Sequence, residues 1–163
     1  MHRGGHQTIA IRPAVPGDAG ELARLRWDFS PEEVQASGQS FADFAQGFEY
    51  FLKEALSLGR WRIWVAERDG SLIANTYVQV VAKVPRPGRF DSRYGYITNV
   101  YTEPAARGSG IGTRLLRQVI AWSREQGLQF LIVWPSDASI GFYERCGFVR
   151  SAEALELHLL EEG

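Results

Sequence analysis

The sequence predicts an α/β protein built on a twisted, mixed β-sheet, and three stretches carry that expectation. The first is Tyr96-Ile97-Thr98-Asn99-Val100-Tyr101-Thr102, a run of β-branched and aromatic residues that reads as a strand. Glu103-Pro104 closes it, because proline cannot donate to a ladder and disfavours helix in its predecessor. The second lies just downstream, where Ile111, Leu115, Leu116, Val119, Ile120 and Trp122 recur at helical spacing with Arg114, Arg117, Ser123 and Arg124 between them. The third is Leu128 to Trp134, an almost continuously apolar run expected to be a strand buried on both faces. Gly127, between the helix and that strand, suits a helix C-terminus.

The remaining elements follow in chain order. Residues 1–7 are polar and glycine-rich and are expected to form a flexible tail, with residues 8–163 as one domain; His2 and His6 lack further ligands for a metal. Thr8 to Arg12 alternates like a first strand. Pro13 to Gly17 turns into a helix with Asp18 as its cap, running through Leu22, Leu25 and Arg26. Ser40 caps a second helix carrying Phe41, Phe44, Phe48, Phe51, Leu52, Ala55 and Leu56. These aromatics read first as core packing, and the acids Asp28, Glu32, Glu33, Asp43, Glu49 and Glu54 as a solvated face. Trp61–Glu67 and Leu72–Val81 read as two strands joined by Arg68-Asp69-Gly70-Ser71, an antiparallel hairpin.

Composition narrows the function classes. A chain of 163 residues, 45% hydrophobic and 23% charged, is large enough for a proper core and ordinary for a globular protein. A net charge of −1 gives no electrostatic case for nucleic-acid binding. The single cysteine, Cys146, excludes an internal disulfide; without an accompanying histidine it reads as structural rather than nucleophilic. No apolar run reaches membrane-spanning length and the first residues hold no apolar signal core, so a cytoplasmic protein without a membrane partner is expected.

Arg107-Gly108-Ser109-Gly110-Ile111-Gly112 sits where the strand feeds the helix N-terminus. Unpaired N–H groups and the positive end of the helix dipole favour an anion there, and glycine lets the backbone approach it. A Walker loop is excluded, since Ile111-Gly112-Thr113-Arg114 lacks the lysine. A dinucleotide fingerprint fails too: Thr113 stands where its third glycine belongs, and Leu131–Trp134 ends without an acid. The hexapeptide instead resembles the pyrophosphate loop Arg/Gln-x-x-Gly-x-Gly/Ala of the acyl-CoA-dependent N-acetyltransferases of the GNAT superfamily. Phe142-Tyr143-Glu144 followed by Gly147-Phe148 resembles the second signature of that family, on a short capped helix leading into a strand from Phe148. Ser136 and Ser139 stand where many members have Asn and Ala. Ile11-Arg12-Pro13-Ala14 is similar to the opening strand.

The resemblance implies a GNAT-like sheet of about six or seven strands flanked by about four helices. It implies acetyl transfer from acetyl-CoA, a cosubstrate, to a primary amine by direct attack in a ternary complex, without a metal. Arg107, Gly108, Ser109, Gly110, Ile111, Gly112 and Thr113 would bind the pyrophosphate, and Ser139 could cap its helix or bond the cofactor. Val100, Tyr101 and Thr102 would hold the pantetheine as an added strand, with the N–H near Val100 polarising the thioester. Tyr143 falls where many members place the tyrosine that protonates the thiolate. The acceptor, a small-molecule or peptide amine, would lie near Asp28 and Asn99, where acids suit a cation. The base does not transfer: Tyr94 stands where histone-type members have glutamate, leaving Glu103, Asp28 or a water. A homodimer is left open. The rival readings are a CoA-binding module without turnover and, more distantly, a nucleotide-binding α/β protein.

Overall fold

The structure, a computed structural model, describes residues 8–160, so the expectations for residues 1–7 lie outside the described residues. The strands are β1 (Ile9–Pro13), β2 (Trp61–Arg68), β3 (Ser71–Ala82), β4 (Arg93–Thr102) and β5 (Leu131–Val133). The helices are α1 (Ala19–Phe29), α2 (Pro31–Ser37), α3 (Phe41–Ser57), α4 (Ile111–Glu125) and α5 (Ile140–Arg145), with 3-10 turns at Pro16–Asp18, Pro104–Ala106 and Asp137–Ser139. The strands make one sheet in chain order, antiparallel from β1 to β4 and parallel between β4 and β5. The expected α/β class and mixed sheet are present.

Period-2 alternation divides the sheet between two cores. Along β2, Ile63 and Val65 face α1 and α3, joining Tyr77, Tyr101, Leu22, Leu25 and Leu52. Trp64 and Ala66 face the other way, joining Val78, Ile97, Ile111, Leu115, Leu116, Val119 and Tyr143. The β2–β3 hairpin turns at Asp69 (φ 53°) and Gly70 (φ 81°), the pair of positive φ values that a two-residue turn of matching twist requires. Ser40 caps α3 as expected, its hydroxyl accepting from the Asp43 N–H at 3.2 Å. The aromatic residues of α3 form a chain of rings through Phe44, Phe48 and Phe51 to Trp61, but of these only Phe48 packs against the core, while Phe41 and Phe51 are exposed, so the expected core packing holds only in part.

Three expectations are corrected. The sheet has five strands, and residues 148–160 contain no strand. In that segment Leu155, Leu157 and Leu159 are 99%, 83% and 85% exposed, and the three-residue β5 offers too short an edge to template another strand. Leu131–Val133 is half-buried rather than enclosed on both faces, because β5 is the sheet edge. Its aromatic neighbours bridge to β4 instead, Phe130 stacking on Tyr94 and Trp134 meeting Tyr96 edge-on, both at 4.9 Å. Asp18 precedes α1 but does not cap it. The preceding 3-10 turn already places it in helical conformation, and its carboxylate turns back to the Val15 N–H at 2.8 Å and to Arg12 at 2.8 and 2.9 Å. Arg12 also reaches Glu67 at 2.8 Å, so this cluster ties β1, β2 and the start of α1.

Arg12, by hydrogen bonding, holds the Asp18 carboxyl below its usual range. A depressed folded pKa stabilises the fold at neutral pH, and that stabilisation is lost as acid protonates the group. Asp18→Asn is expected to cost about 1–2 kcal/mol at pH 7, discounted because Arg12 is partly exposed. In denaturant melts the gap from wild type should be constant above about pH 5 and narrow as pH falls below ~4.

Candidate functional site

The glycine loop owes its shape to two left-handed residues, Gly108 and Gly110, both at φ 79°. Gly110 is the N-cap of α4 and brings no capping side chain; the first helical bond closes from the Arg114 N–H to its carbonyl at 3.0 Å. The N–H groups of Ile111, Gly112 and Thr113 therefore point out of the helix end without intrahelical acceptors. The Ser109 hydroxyl donates to the Ala106 carbonyl at 2.6 Å. Arg107 Nε donates to the Thr102 carbonyl at 2.9 Å and its guanidinium lies 5.8 Å from the Tyr101 ring centre. Arg107 thus fastens the loop to the end of β4, and the backbone N–H groups are left to face an anion.

Strand β4 changes character at its middle. From Gly95 to Ile97 it is paired with Leu131 to Val133 on one edge and with β3 on the other. Beyond Ile97 the β5 side has no pairing, and β4 runs on to Thr102 with that edge open towards the α4 N-terminus. On the β3 side the register slips between Asn75 and Tyr77: Tyr77 faces Thr98 while Asn75 faces Tyr101, so Asn99 and Val100 bulge. Asn99 takes φ 50°. Its carbonyl accepts from Asn75 Nδ2 at 2.6 Å. Val100 packs against the α4-side core, whereas Tyr101 is buried on the other face, edge-on to Phe29 at 5.3 Å.

A cavity of about 620 Å³ opens beside that end of β4, lined by Trp27, Asp28 and Pro31 of α1 and α2 and by Tyr101, Glu103 and Pro104. The expected acceptor residue Asp28 is on its wall; Asn99 is not among its lining residues. Arg24 holds the acids in place, donating to Glu103 at 2.7 Å, Asp28 at 3.4 Å, Glu21 at 3.2 Å and the Leu72 carbonyl at 2.9 Å. Burial and then the Asp28 carboxylate push the Tyr101 phenol up from its usual value. Trp27 and Arg24 were not singled out in the sequence. The spacing of Glu21, Arg24 and Asp28, three and four residues apart, was the available signal for the arginine.

The second motif folds onto the first. Phe142 lies against α4's first turn, its ring 3.5 Å from where a side chain on Gly112 would begin. Tyr143 is 6% exposed, held between Phe142 at 5.0 Å and Phe148 at 5.5 Å. Burial, with a contribution from Cys146, pushes its phenol up to about 12. The Ser139 hydroxyl donates to the Ser136 carbonyl at 2.9 Å, closing the turn that starts α5. Cys146 is half-buried against the same core. Among the described residues no group of three or more His, Cys, Asp or Glu is arranged to hold a metal ion. No helix among them is long and apolar enough to cross a membrane.

Known proteins resemble the chain over most of its length. Glucosamine 6-phosphate N-acetyltransferase 1 of Oryza sativa is 28% identical over 93% of this chain and 96% of its own. Aminoglycoside N(6')-acetyltransferase type 1 of Stenotrophomonas maltophilia is 29% identical over 85% of this chain and 84% of its own. A predicted acetyltransferase of Clostridium acetobutylicum, solved with acetyl-CoA, superposes with a TM-score of 0.75 at 26% identity, covering 95% of this chain and 99% of that one. The model of the Acetyltransferase (GNAT) family matches residues 21–148, spanning the α1–α2 cavity wall, the open edge of β4, the glycine loop and the tyrosine of α5; the chain belongs to that family.

Proposed function

We propose that the protein is an N-acetyltransferase that moves the acetyl group of acetyl-CoA to a primary amine by direct attack in a ternary complex. The observation that carries this reading is the open edge of β4 beyond Ile97, which leads straight to the uncapped N-terminus of α4. An extended amide-bearing arm ending in a pyrophosphate needs those two features side by side. The likeness to a structure solved with acetyl-CoA supports the same cosubstrate.

The N–H groups of Gly108 to Thr113 bind the pyrophosphate in this reading, and Thr98 to Thr102 pair with the pantetheine amides. Val100 N–H donates to the thioester oxygen, where negative charge grows as the amine attacks. Tyr143 donates to the departing thiolate. With its pKa about 12 against roughly 8.5 for a thiol, it stays protonated at neutral pH and stabilises the thiolate by hydrogen bonding. The acceptor enters the cavity between Trp27 and Tyr101, where Asp28 and Glu103 attract an ammonium group and the aromatic faces cover its carbon skeleton. The ammonium loses one proton to solvent through the open cavity, which frees the lone pair that attacks; the second leaves the tetrahedral adduct by the same route, and the departed thiolate takes up a proton from solvent. Tyr94, where a base glutamate stands in histone-type members, is stacked on Phe130, and this favours the second reading, a CoA-binding module without turnover. Incubation with acetyl-CoA and a panel of amines, following free thiol, decides between them: turnover supports the enzyme, and CoA binding without turnover supports the module.

Gly110→Val places a β-branched residue at φ 79°, where it cannot sit without strain. Calorimetry is expected to show CoA affinity weakened at least about tenfold with the far-ultraviolet spectrum retained. Tyr143→Phe should lower turnover on the order of 100-fold with acetyl-CoA affinity nearly unchanged, because its hydroxyl acts only on the leaving group. Between pH 6 and 10 the wild type should lose no rate through this phenol. For a cationic amine, KM should rise as salt shortens the Debye length from ~10 Å at 0.1 M to ~3 Å at 1 M. Asp28→Asn should raise KM at low salt and flatten that dependence; an amine constant indifferent to both would point to a neutral acceptor.

A further inference from the structure

We propose that Asn75 is a positioning residue for acetyl transfer: its side-chain amide locks the Asn99–Val100 peptide in the orientation that aims the Val100 N–H out of the sheet edge. The inference rests on the acetyltransferase reading and adds a residue to it. Asn75 is wholly buried in the middle of β3, where with the equally buried Thr76 it interrupts the apolar run Leu72-Ile73-Ala74 and Tyr77-Val78. A buried amide there costs stability unless it is bonded. Its one side-chain hydrogen bond, Nδ2 to the Asn99 carbonyl at 2.6 Å, goes to the first of the two bulged residues of β4. Its Oδ1 has no hydrogen-bond partner, while the buried Tyr77 hydroxyl lies against the Asn99 side chain. Polar groups of Asn75, Tyr77 and Asn99 thus gather around this bulge, and the Asn75 bond to the Asn99 carbonyl fixes its backbone.

The direction of the Val100 N–H follows from covalent geometry. Among the described residues no peptide bond is cis, and in a trans peptide the C=O and N–H point opposite ways. The Asn99 carbonyl is drawn towards β3 by Asn75, so the N–H of Val100 in the same peptide plane is turned away from β3. On that side β4 has no partner beyond Ile97. Asn99 at φ 50° is strained for a residue with a Cβ, although asparagine tolerates it better than most. Without an anchor, relaxation to ordinary extended backbone would rotate the peptide and take the N–H out of line. Asn75 supplies that anchor.

The test compares Asn75→Leu, of similar volume but without a donor, with wild type in two backgrounds. In the native background kcat should fall about 10²-fold, since a misaimed oxyanion donor is lost, while CoA affinity by calorimetry stays within about twofold. In the Asn99→Gly background the loss caused by Asn75→Leu should be much smaller, because glycine holds a positive φ without an anchor. A merely structural role predicts the same loss in both backgrounds. The Val100 amide resonance of the unliganded protein should move in Asn75→Leu and return towards its wild-type position in the double variant. Wild-type turnover with unimpaired Asn75→Leu, equal losses in both backgrounds, or an unmoved Val100 resonance overturns the proposal alone. Absence of wild-type turnover on every amine overturns the enzymatic reading and this inference with it. If Asn75→Leu does not fold, Asn75→Asp, which keeps the shape and replaces the donor by an acceptor, takes its place with the same expected losses.

Discussion

Strand β4 is flanked by β3 along nearly its whole length and by β5 only from Gly95 to Ile97. A backbone inside a sheet has to satisfy donors and acceptors on both sides, and the parallel neighbour satisfies one of them for three residues only. The rest of that edge is a strand template with nothing on it. Natural sheets usually blunt such an edge, but here the strand is followed, through the glycine loop, by the positive end of α4. The helix cannot be moved without losing the core made by Ile111, Leu115, Leu116 and Val119. The helix N-terminus is therefore held by well-packed side chains, while its free groups are backbone.

The opposite side of β4 is organised by charge. Arg24, on α1, reaches a residue 79 positions away on the strand end and a carbonyl on β3, joining helix and sheet where the cavity opens. Its ion pairs are half-exposed and individually weak, but several charges around one planar guanidinium form a network with defined geometry. The Arg12 cluster does the same between β1, β2 and the start of α1. Helix α1 is thereby fixed at its start and its middle, one turn before Trp27 and Asp28 on the cavity wall.

What could be read from the sequence was what depends on neighbours in the chain. The hairpin at Asp69-Gly70, the cap at Ser40, the loop from Arg107 to Gly112 and the stop at Gly127 are each specified by a few adjacent residues. Helix α2 carries such a signal as well, Ser30-Pro31-Glu32-Glu33 with a glycine after its last residue. Asp18 had the residue type of a cap and was captured by Arg12, a competition between local and tertiary partners that spacing does not show. Leu155, Leu157 and Leu159 alternate as a strand does, but a strand exists only with a neighbour to bond, and β5 is too short to be one. At the site, the glycine loop was legible and the Asn75–Asn99 bond was not, because the bulge arises from the register of two strands.

The Arg24 cluster has a consequence for selectivity. With one guanidinium among Glu21, Asp28 and Glu103, the mouth of the cavity keeps an internal cation already in contact with the carboxylates that a visiting cation would use. An incoming charge does not meet bare acids. It meets a pre-neutralised lattice in which each carboxylate has a standing partner, and it gains only what remains after sharing them. Such a surface responds less to one more positive charge than to where that charge is held, since only a rigid ligand can match oxygens whose positions the arginine has already set. Guest and resident cation share the same carboxylates, so the shape of the ligand counts beside its charge.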